Sequence, residues 1–292
     1  YILIKKFISI TKPGIIFGNL ITVAGGFGLA SQGKYNLSLF LATLIGISLV
    51  IAAGCVFNNV IDRDIDSLME RTKNRVMVKG HLSAKVALFY GFILSLLGVF
   101  FLYHWANWLT VLVALIGLFF YVVVYSLWFK RNSIYGTLIG SISGSIPPVV
   151  GYCAVSNKFD LGALILFVLL SVWQMPHSYA IAIFRFNDYS SAGIPVLPVK
   201  KGIQVAKRNM LLYVVIFTVV SSLLSLCGYT GKYYLIVALA VGLWWIRLAA
   251  SGFRANNNDI SWARKMFGFS IIAIMLLSLM MALNSTVLLS AL

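Results

Sequence analysis

The sequence predicts an all-α polytopic membrane protein, and three observations carry that expectation. Its mean hydropathy is +0.95. Only 10% of its 292 residues are charged, against roughly 25% in soluble globular domains. It also holds nine apolar runs close to the about 20 residues that a helix needs to cross a bilayer, at about 14–32, 38–60, 84–103, 107–128, 133–154, 161–183, 209–228, 232–251 and 267–289.

The first run lacks a small-residue cleavage pattern and is followed by eight more, so it reads as a retained helix. Its Gly25-Gly26-Phe27-Gly28 stretch lets a neighbouring helix approach closely. The second run leads directly into an acidic block. A short Tyr103–Asn107 connection separates the third from the fourth. The fifth is rich in Gly and Ser over 136–144 and then meets Pro147-Pro148, which should kink or break it. The sixth carries a histidine and ends in a long polar loop. The seventh and eighth turn at Thr230-Gly231-Lys232, and the ninth closes the chain. Trp105, Trp108, Trp128, Trp244 and Trp245 fall near run ends, where an interfacial aromatic belt is expected.

Basic residues orient the runs, because cytoplasmic loops retain Lys and Arg. With the N-terminus inside and the C-terminus outside, only Lys34, Lys158 and Lys232 of the 23 basic residues lie outside. The same distribution explains a net charge of +16 without nucleic acid. Cys55, Cys153 and Cys227 lie in or beside apolar runs without metal-type spacing, so reduced, buried thiols are expected. The chain reads as one transmembrane domain over 1–292. Its two long polar loops, at about 62–83 and 185–207, are separated by four runs, a spacing that suggests duplication of a four-helix unit. A site is expected where these loops meet.

Four of the seven acidic residues, Asp62, Asp64, Asp66 and Glu70, crowd the start of the first loop. If the second helix continues, Asn58, Asp62 and Asp66 drift only about 40° per step and rise about 6 Å each, so they share one stripe. Asp64 faces nearly the opposite way. Carboxylates at i and i+4 repel, and a helix C-terminus adds to the cost. No acid of the block has a base at i+4, so a solvated, salt-bridged helix end is poorly supported locally. A divalent cation removes the penalty, and an Asn/Asp/Asp oxygen set suits Mg²⁺, which keeps waters and adds phosphate oxygens. Just downstream, Arg71, Lys73, Arg75 and Lys79 are bases of the kind that bind phosphate, although positive-inside bias supplies part of this charge. Acids that hold Mg²⁺ beside such bases at a membrane surface describe a pocket for a lipid diphosphate.

The second loop region reads Trp173-Gln-Met-Pro-His177, then Phe184-Arg-Phe-Asn-Asp-Tyr189, then Ala192-Gly-Ile-Pro-Val-Leu-Pro198. His177 lies inside an apolar run, where an ionisable group is a functional candidate, with a hydrogen-bonded packing histidine as the alternative. Arg185 and Asp188 either pair with each other, or Asp188 supplies a second metal carboxylate opposite Asp62 and Asp66.

The Asn-x-x-x-Asp-x-x-x-Asp block followed by Met-Glu-Arg-Thr-Lys-Asn-Arg resembles the first diphosphate-binding motif of the UbiA-like intramembrane prenyltransferases. The second-loop stretch, with Trp262-Ala-Arg-Lys-Met-Phe-Gly-Phe-Ser270, resembles the haem-farnesylating branch of that superfamily, so the likeness spans essentially the whole chain. It implies nine transmembrane helices around a central cavity in the bacterial inner membrane, with the active site on the cytoplasmic side. Farnesyl diphosphate is the implied prenyl donor, haem B the acceptor and Mg²⁺ the cofactor, with membrane lipid and terminal oxidase assembly factors as further partners. By this resemblance Asn58, Asp62 and Asp66 bind the diphosphate through Mg²⁺, Arg71, Arg75 and Lys79 flank it, and Asp188 with Arg185 and Tyr189 comes from the second motif.

The wider superfamily has several aspartates in the second motif, whereas here Asp188 stands alone with Arg185 and His177 nearby. That departure fits a porphyrin, which needs propionate partners, and leaves His177 either an iron ligand or a pocket wall. Two other classes compete: a related enzyme that prenylates a quinone precursor, with no need of His177, and a secondary transporter, whose acids belong near the bilayer midplane. Here the acids other than Asp160 lie at the inside ends of runs.

Overall fold

The computed structural model describes residues 2–254 and 258–286. Among these, nine helices are long and apolar enough to cross a membrane: Pro13–Ser31, Leu37–Ile61, Ala84–Trp105, Trp108–Asn132, Gly136–Ser156, Leu161–Phe184, Ile203–Leu226, Lys232–Arg254 and Asp259–Leu283. All-α architecture and the number of spans agree with the sequence. Residues 287–289 of the expected ninth run, and the chain end expected outside, lie beyond the described residues.

A short helix, α1 (Ile2–Ile10), precedes the first span α2 (Pro13–Ser31), whose Pro13 sits at a first-turn position that needs no N–H. Asn36 caps α3 (Leu37–Ile61) through a bond from the Leu39 N–H. After α4 (Arg63–Ser67), Ser83 caps α5 (Ala84–Trp105) in the same way. Asn107 caps α6 (Trp108–Phe119), which widens into a π-helix over Phe120–Phe129 and ends in the short α7 (Lys130–Asn132).

Span five divides as the proline pair requires, into α8 (Gly136–Gly144) and α9 (Ile146–Ser156), with Pro147 in the first turn of the second piece. Asp160 caps α10 (Leu161–Phe184) by accepting from the Gly162 and Ala163 N–H groups. Then come α11 (Phe186–Ser191), α12 (Leu197–Lys201), α13 (Ile203–Leu226), α14 (Lys232–Ser251) and α15 (Asp259–Leu283).

Helices α13 and α15 start well before the apolar runs that announced them, at Ile203 rather than 209 and Asp259 rather than 267. Hydropathy marks the part immersed in hydrocarbon, while backbone hydrogen bonding carries the helix on into the interface, where long basic side chains reach polar partners. Lys207 is such a residue: nearly fully buried, it donates to the Gly252 carbonyl at 2.8 Å and to Asp259 Oδ1 at 2.5 Å, and so ties α13, α14 and α15 together.

Packing proceeds around a ring. Helix α3 lies along α5, α2 along α9 and α15, and α10 along α13 and α15. The α2–α9 crossing depends on glycine in both directions. A Cβ on Gly26 would sit 2.0 Å from the Pro148 carbonyl oxygen, and one on Gly151 would sit 2.1 Å from that of Val23. One expectation needs correction. Trp105, Trp108, Trp128 and Trp244 are exposed on the helix surface as a belt requires, but Trp245 is fully buried. It packs edge-on against Phe217 at 5.2 Å and near Phe269. Its neighbour in sequence faces outward because adjacent helical positions point about 100° apart.

Candidate active site

The stripe predicted from the acid block survives the end of α3. Asp62 caps that helix by donating its N–H to the Asn58 carbonyl at 2.9 Å, and the Asp66 N–H bonds the Asp62 carbonyl at 2.8 Å. The i to i+4 stepping therefore runs on into α4. Asn58 Nδ2 donates to Asp62 Oδ2 at 2.7 Å. The Asp62 and Asp66 side chains are 0% and 2% exposed, which makes them costly unless cations meet them.

Those cations come from the same loop and from distant parts of the chain. Lys130 pairs with Asp62, and Arg75 Nη1 lies 2.6 Å from Asp66 Oδ2. Lys12 Nζ donates to Asn58 Oδ1 at 2.5 Å. Lys12 has a left-handed backbone (φ 54°) directly before Pro13, a conformation uncommon outside glycine. Burial pushes its ammonium down to about 8, and the charges of Arg75 and Lys130 act in the same direction. Three cations thus converge on one polar end.

Winding of the π-helix accounts for Lys130. Tyr121 and Lys130 would fall half a turn apart on a helix of about 3.6 residues per turn, but i to i+5 hydrogen bonding brings later residues round to the same side. Ser126 donates to the Tyr121 carbonyl at 2.8 Å and accepts from Asn58 Nδ2 at 2.9 Å. Tyr121 and Tyr125 stack at 6.1 Å with an interplanar angle of 18°. Arg131 turns outward, bonds the Ile61 carbonyl and holds Asp64 through two contacts of 2.6 and 2.7 Å.

This Arg131 fork holds the Asp64 carboxyl down at about 2. A carboxylate depressed in the folded state contributes stability above its unfolded pKa of about 3.9, and that contribution is lost as pH falls towards the folded value. The effect is small, because the Asp64 side chain is 65% exposed. Thermal unfolding in detergent should show a modest destabilisation between about pH 4 and 2 that Asp64→Asn removes. An unchanged acid limb in the variant would mean that other groups account for it.

The two long loops meet as the sequence suggests. Ile65, Met69 and Ile194 form a small apolar cluster with Tyr189, Ala192 and Val196. The Glu70 N–H donates to Asp188 Oδ1 at 3.0 Å, and Ser191 Oγ donates to the Leu68 carbonyl at 3.1 Å. Below them opens a cavity of about 780 Å³, within the range of small-molecule sites. Lys12, Asn58, Asp66, Arg71, Arg75 and Lys130 line its polar end. Its walls also include Tyr121, Tyr125, Trp173, His177 and Phe267 from the spanning helices, with Tyr189 reaching it from the loop cluster. Burial raises the Tyr189 hydroxyl above its usual range.

Of the residues singled out in the sequence, Asn58, Asp66, Arg71, Arg75, His177 and Tyr189 therefore share one cavity, and Asp62 lies directly behind Asn58. Asp188 does not line the cavity; it clamps the first loop. Arg185 lies at the edge of a separate small depression, its guanidinium 5.7 Å from the centre of the Phe184 ring, and Lys79 is exposed outside the lining. Lys12, Lys130, Tyr121, Tyr125 and Ser126 escaped the sequence reading. In the sequence Lys12 and Lys130 carry only a topology signal, each a basic residue at the end of an apolar run.

Nine spanning helices around a cavity with buried acids and converging bases at one end define an intramembrane enzyme that handles an anionic, largely apolar substrate. The chain belongs to the UbiA prenyltransferase family, which matches residues 19–287. It is similar to the protoheme IX farnesyltransferase of Pectobacterium carotovorum subsp. carotovorum, 62% identical over 97% of this chain and 96% of the relative. The protoheme IX farnesyltransferase of Yersinia pseudotuberculosis is 59% identical over 98% and 96%.

Two solved structures share the fold. One concerns digeranylgeranylglyceryl phosphate synthase, with a TM-score of 0.79 and 20% identity over 96% of this chain and 98% of that one. The other is a UbiA homologue from Archaeoglobus fulgidus bound to GPP and Mg²⁺, with a TM-score of 0.73 and 17% identity over 95% and 99%.

Proposed function

We propose that this chain transfers the farnesyl group of farnesyl diphosphate to a vinyl group of haem B, with addition of water, to give haem O for terminal oxidases. The observation that carries the reading is the division of a single cavity. One part gathers Lys12, Arg71, Arg75 and Lys130 beside buried acids, and another part of the wall presents His177 against the aromatic rings of Trp173 and Phe267. Relatives about 60% identical over nearly the full chain bear the name of this activity.

In this reading the four bases hold the diphosphate. The bond between farnesyl C1 and oxygen breaks, the electron pair leaves with the diphosphate, and the allylic cation forms against the stacked Tyr121 and Tyr125 rings, whose faces favour positive charge. A vinyl carbon of haem B attacks C1. Water then adds to the resulting cation beside the porphyrin and loses a proton, leaving a hydroxyethylfarnesyl group. The apolar walls orient both reactants and exclude water until the carbon–carbon bond exists. Asp188 acts through the loop clamp, by fixing the backbone beside Arg71.

Asn58, Asp62 and Asp66 suit Mg²⁺. Asp62 Oδ1 is buried without a hydrogen-bond partner, with Arg131 Nη2 3.8 Å away, and Asn58 and Asp66 line the cavity. Among the described residues no three His, Cys, Asp or Glu side chains group closely enough to hold a cation, so phosphate oxygens and waters would complete the shell. When bound there, Mg²⁺ supplies charge stabilisation to the departing diphosphate. The polar end belongs to the cytoplasmic side of the bacterial inner membrane by the distribution of basic residues. Mass spectrometry of haems extracted from cells with and without this protein tests the proposal. Haem O should accompany the protein, and its equal abundance without the protein would refute the reading.

A further inference from the structure

His177 is held with unusual completeness for a pocket wall. Its ring packs against Trp173, at 4.7 Å and 26°, and Phe267, at 4.8 Å and 38°. Trp173 Nε1 donates to the Ser270 carbonyl at 2.8 Å. His177 Nδ1 lies 2.7 Å from Ser270 Oγ, and that same Oγ lies 2.6 Å from the Phe267 carbonyl oxygen. Ser270 is fully buried, so no solvent competes for either contact.

A serine hydroxyl has one hydrogen. Two oxygens 2.6 Å apart repel unless a hydrogen lies between them, so the hydroxyl donates to the Phe267 carbonyl. The contact at 2.7 Å then requires Nδ1 to be the donor. Nε2 is left unprotonated, with its lone pair in the ring plane. Among the described residues it has no hydrogen-bond partner, and His177 lines the cavity. With Trp173 and Phe267 packed against the ring and Nδ1 engaged by Ser270, this edge is the part of the imidazole left to bind a molecule in the cavity.

We infer that Ser270 is a positioning residue that fixes His177 as the Nδ1–H tautomer and presents Nε2 to the iron of the acceptor haem. The inference rests on the haem reading above. It follows the general rule that a metal-ligating histidine donates its other ring N–H to a fixed acceptor, whose removal weakens metal binding by about 10–100-fold. The consequence for the reaction is orientation: ligation at one fixed atom sets the height and plane of the porphyrin within the cavity that also holds the basic end.

The test uses the full chain in nanodiscs, as wild type and as Ser270→Ala, Ser270→Thr and His177→Ala, titrated with ferric haem B and, separately, with iron-free protoporphyrin IX. Ser270→Ala should bind haem about 10–100-fold more weakly and should lose the histidine-ligated absorption spectrum, as His177→Ala does. Ser270→Thr should restore both. All four proteins should bind iron-free protoporphyrin with equal affinity, because no metal is present to be ligated. A wild-type haem spectrum and affinity in Ser270→Ala would overturn the inference, and so would a parallel loss of iron-free porphyrin binding, which would mark a packing role. If the wild type bound neither porphyrin, the acceptor reading itself would fall, and the inference with it.

Discussion

Replacing Asp66 with Asn is expected to lower haem O formation by at least about 100-fold, the scale of losing one preorganised charge-stabilising group from an enzyme site. The amide keeps the size of the carboxylate and still accepts a hydrogen bond from Arg75, but it removes the negative charge that balances the bases and that a divalent cation would need. Asp62→Asn should behave alike, since its carboxylate is buried between Asn58 and Lys130. Initial rates in membranes supplied with haem B and labelled farnesyl diphosphate provide the measurement. Near wild-type rates in both variants would remove the acidic stripe from the proposed site.

Replacing Gly26 or Gly151 with Ala should produce the largest loss of stability. Each added Cβ would meet a backbone carbonyl oxygen at 2.0 or 2.1 Å, and a carbonyl fixed in a helix cannot rotate away as a side-chain tip can. Helices α2 and α9 would have to separate, at a cost of about 1–3 kcal/mol or more for overpacking of this kind. Because α2 also walls the cavity, activity should fall together with the unfolding midpoint in detergent. Gly268→Ala is the control, since open space surrounds its Cβ position and alanine is the better helix former. Equal midpoints for all three variants would contradict the close crossing.

Much of this molecule was legible in the sequence because hydrocarbon simplifies the rules. A run of about 20 apolar residues has few options other than a spanning helix, and the Asn58, Asp62 and Asp66 spacing needs only helical periodicity to share a stripe. Pro147 broke its span for reasons local to the pyrrolidine ring. Less legible was everything set by tertiary approach. Lys130 reaches Asp62 because the preceding segment winds as a π-helix, and no single residue of Phe120–Phe129 announces that winding. Asp188 belongs to the second motif by position, yet its carboxylate turns to the Glu70 N–H rather than to the cavity, a choice made by how two loops fold over one another. Trp245 resembles its neighbour in sequence and differs only in which side of α14 it occupies. Ser270 is an ordinary serine on an apolar helix until α10 brings His177 beside it.

The most direct test of the central claim is a reconstitution with purified protein, haem B and farnesyl diphosphate in ¹⁸O-labelled water, followed by mass spectrometry of the extracted haem. The account predicts one farnesyl group on the porphyrin and one ¹⁸O in the new hydroxyl, with turnover that requires a divalent cation and falls in Asp66→Asn. Unmodified haem B, under conditions in which the same protein prenylates a quinone precursor, would contradict it.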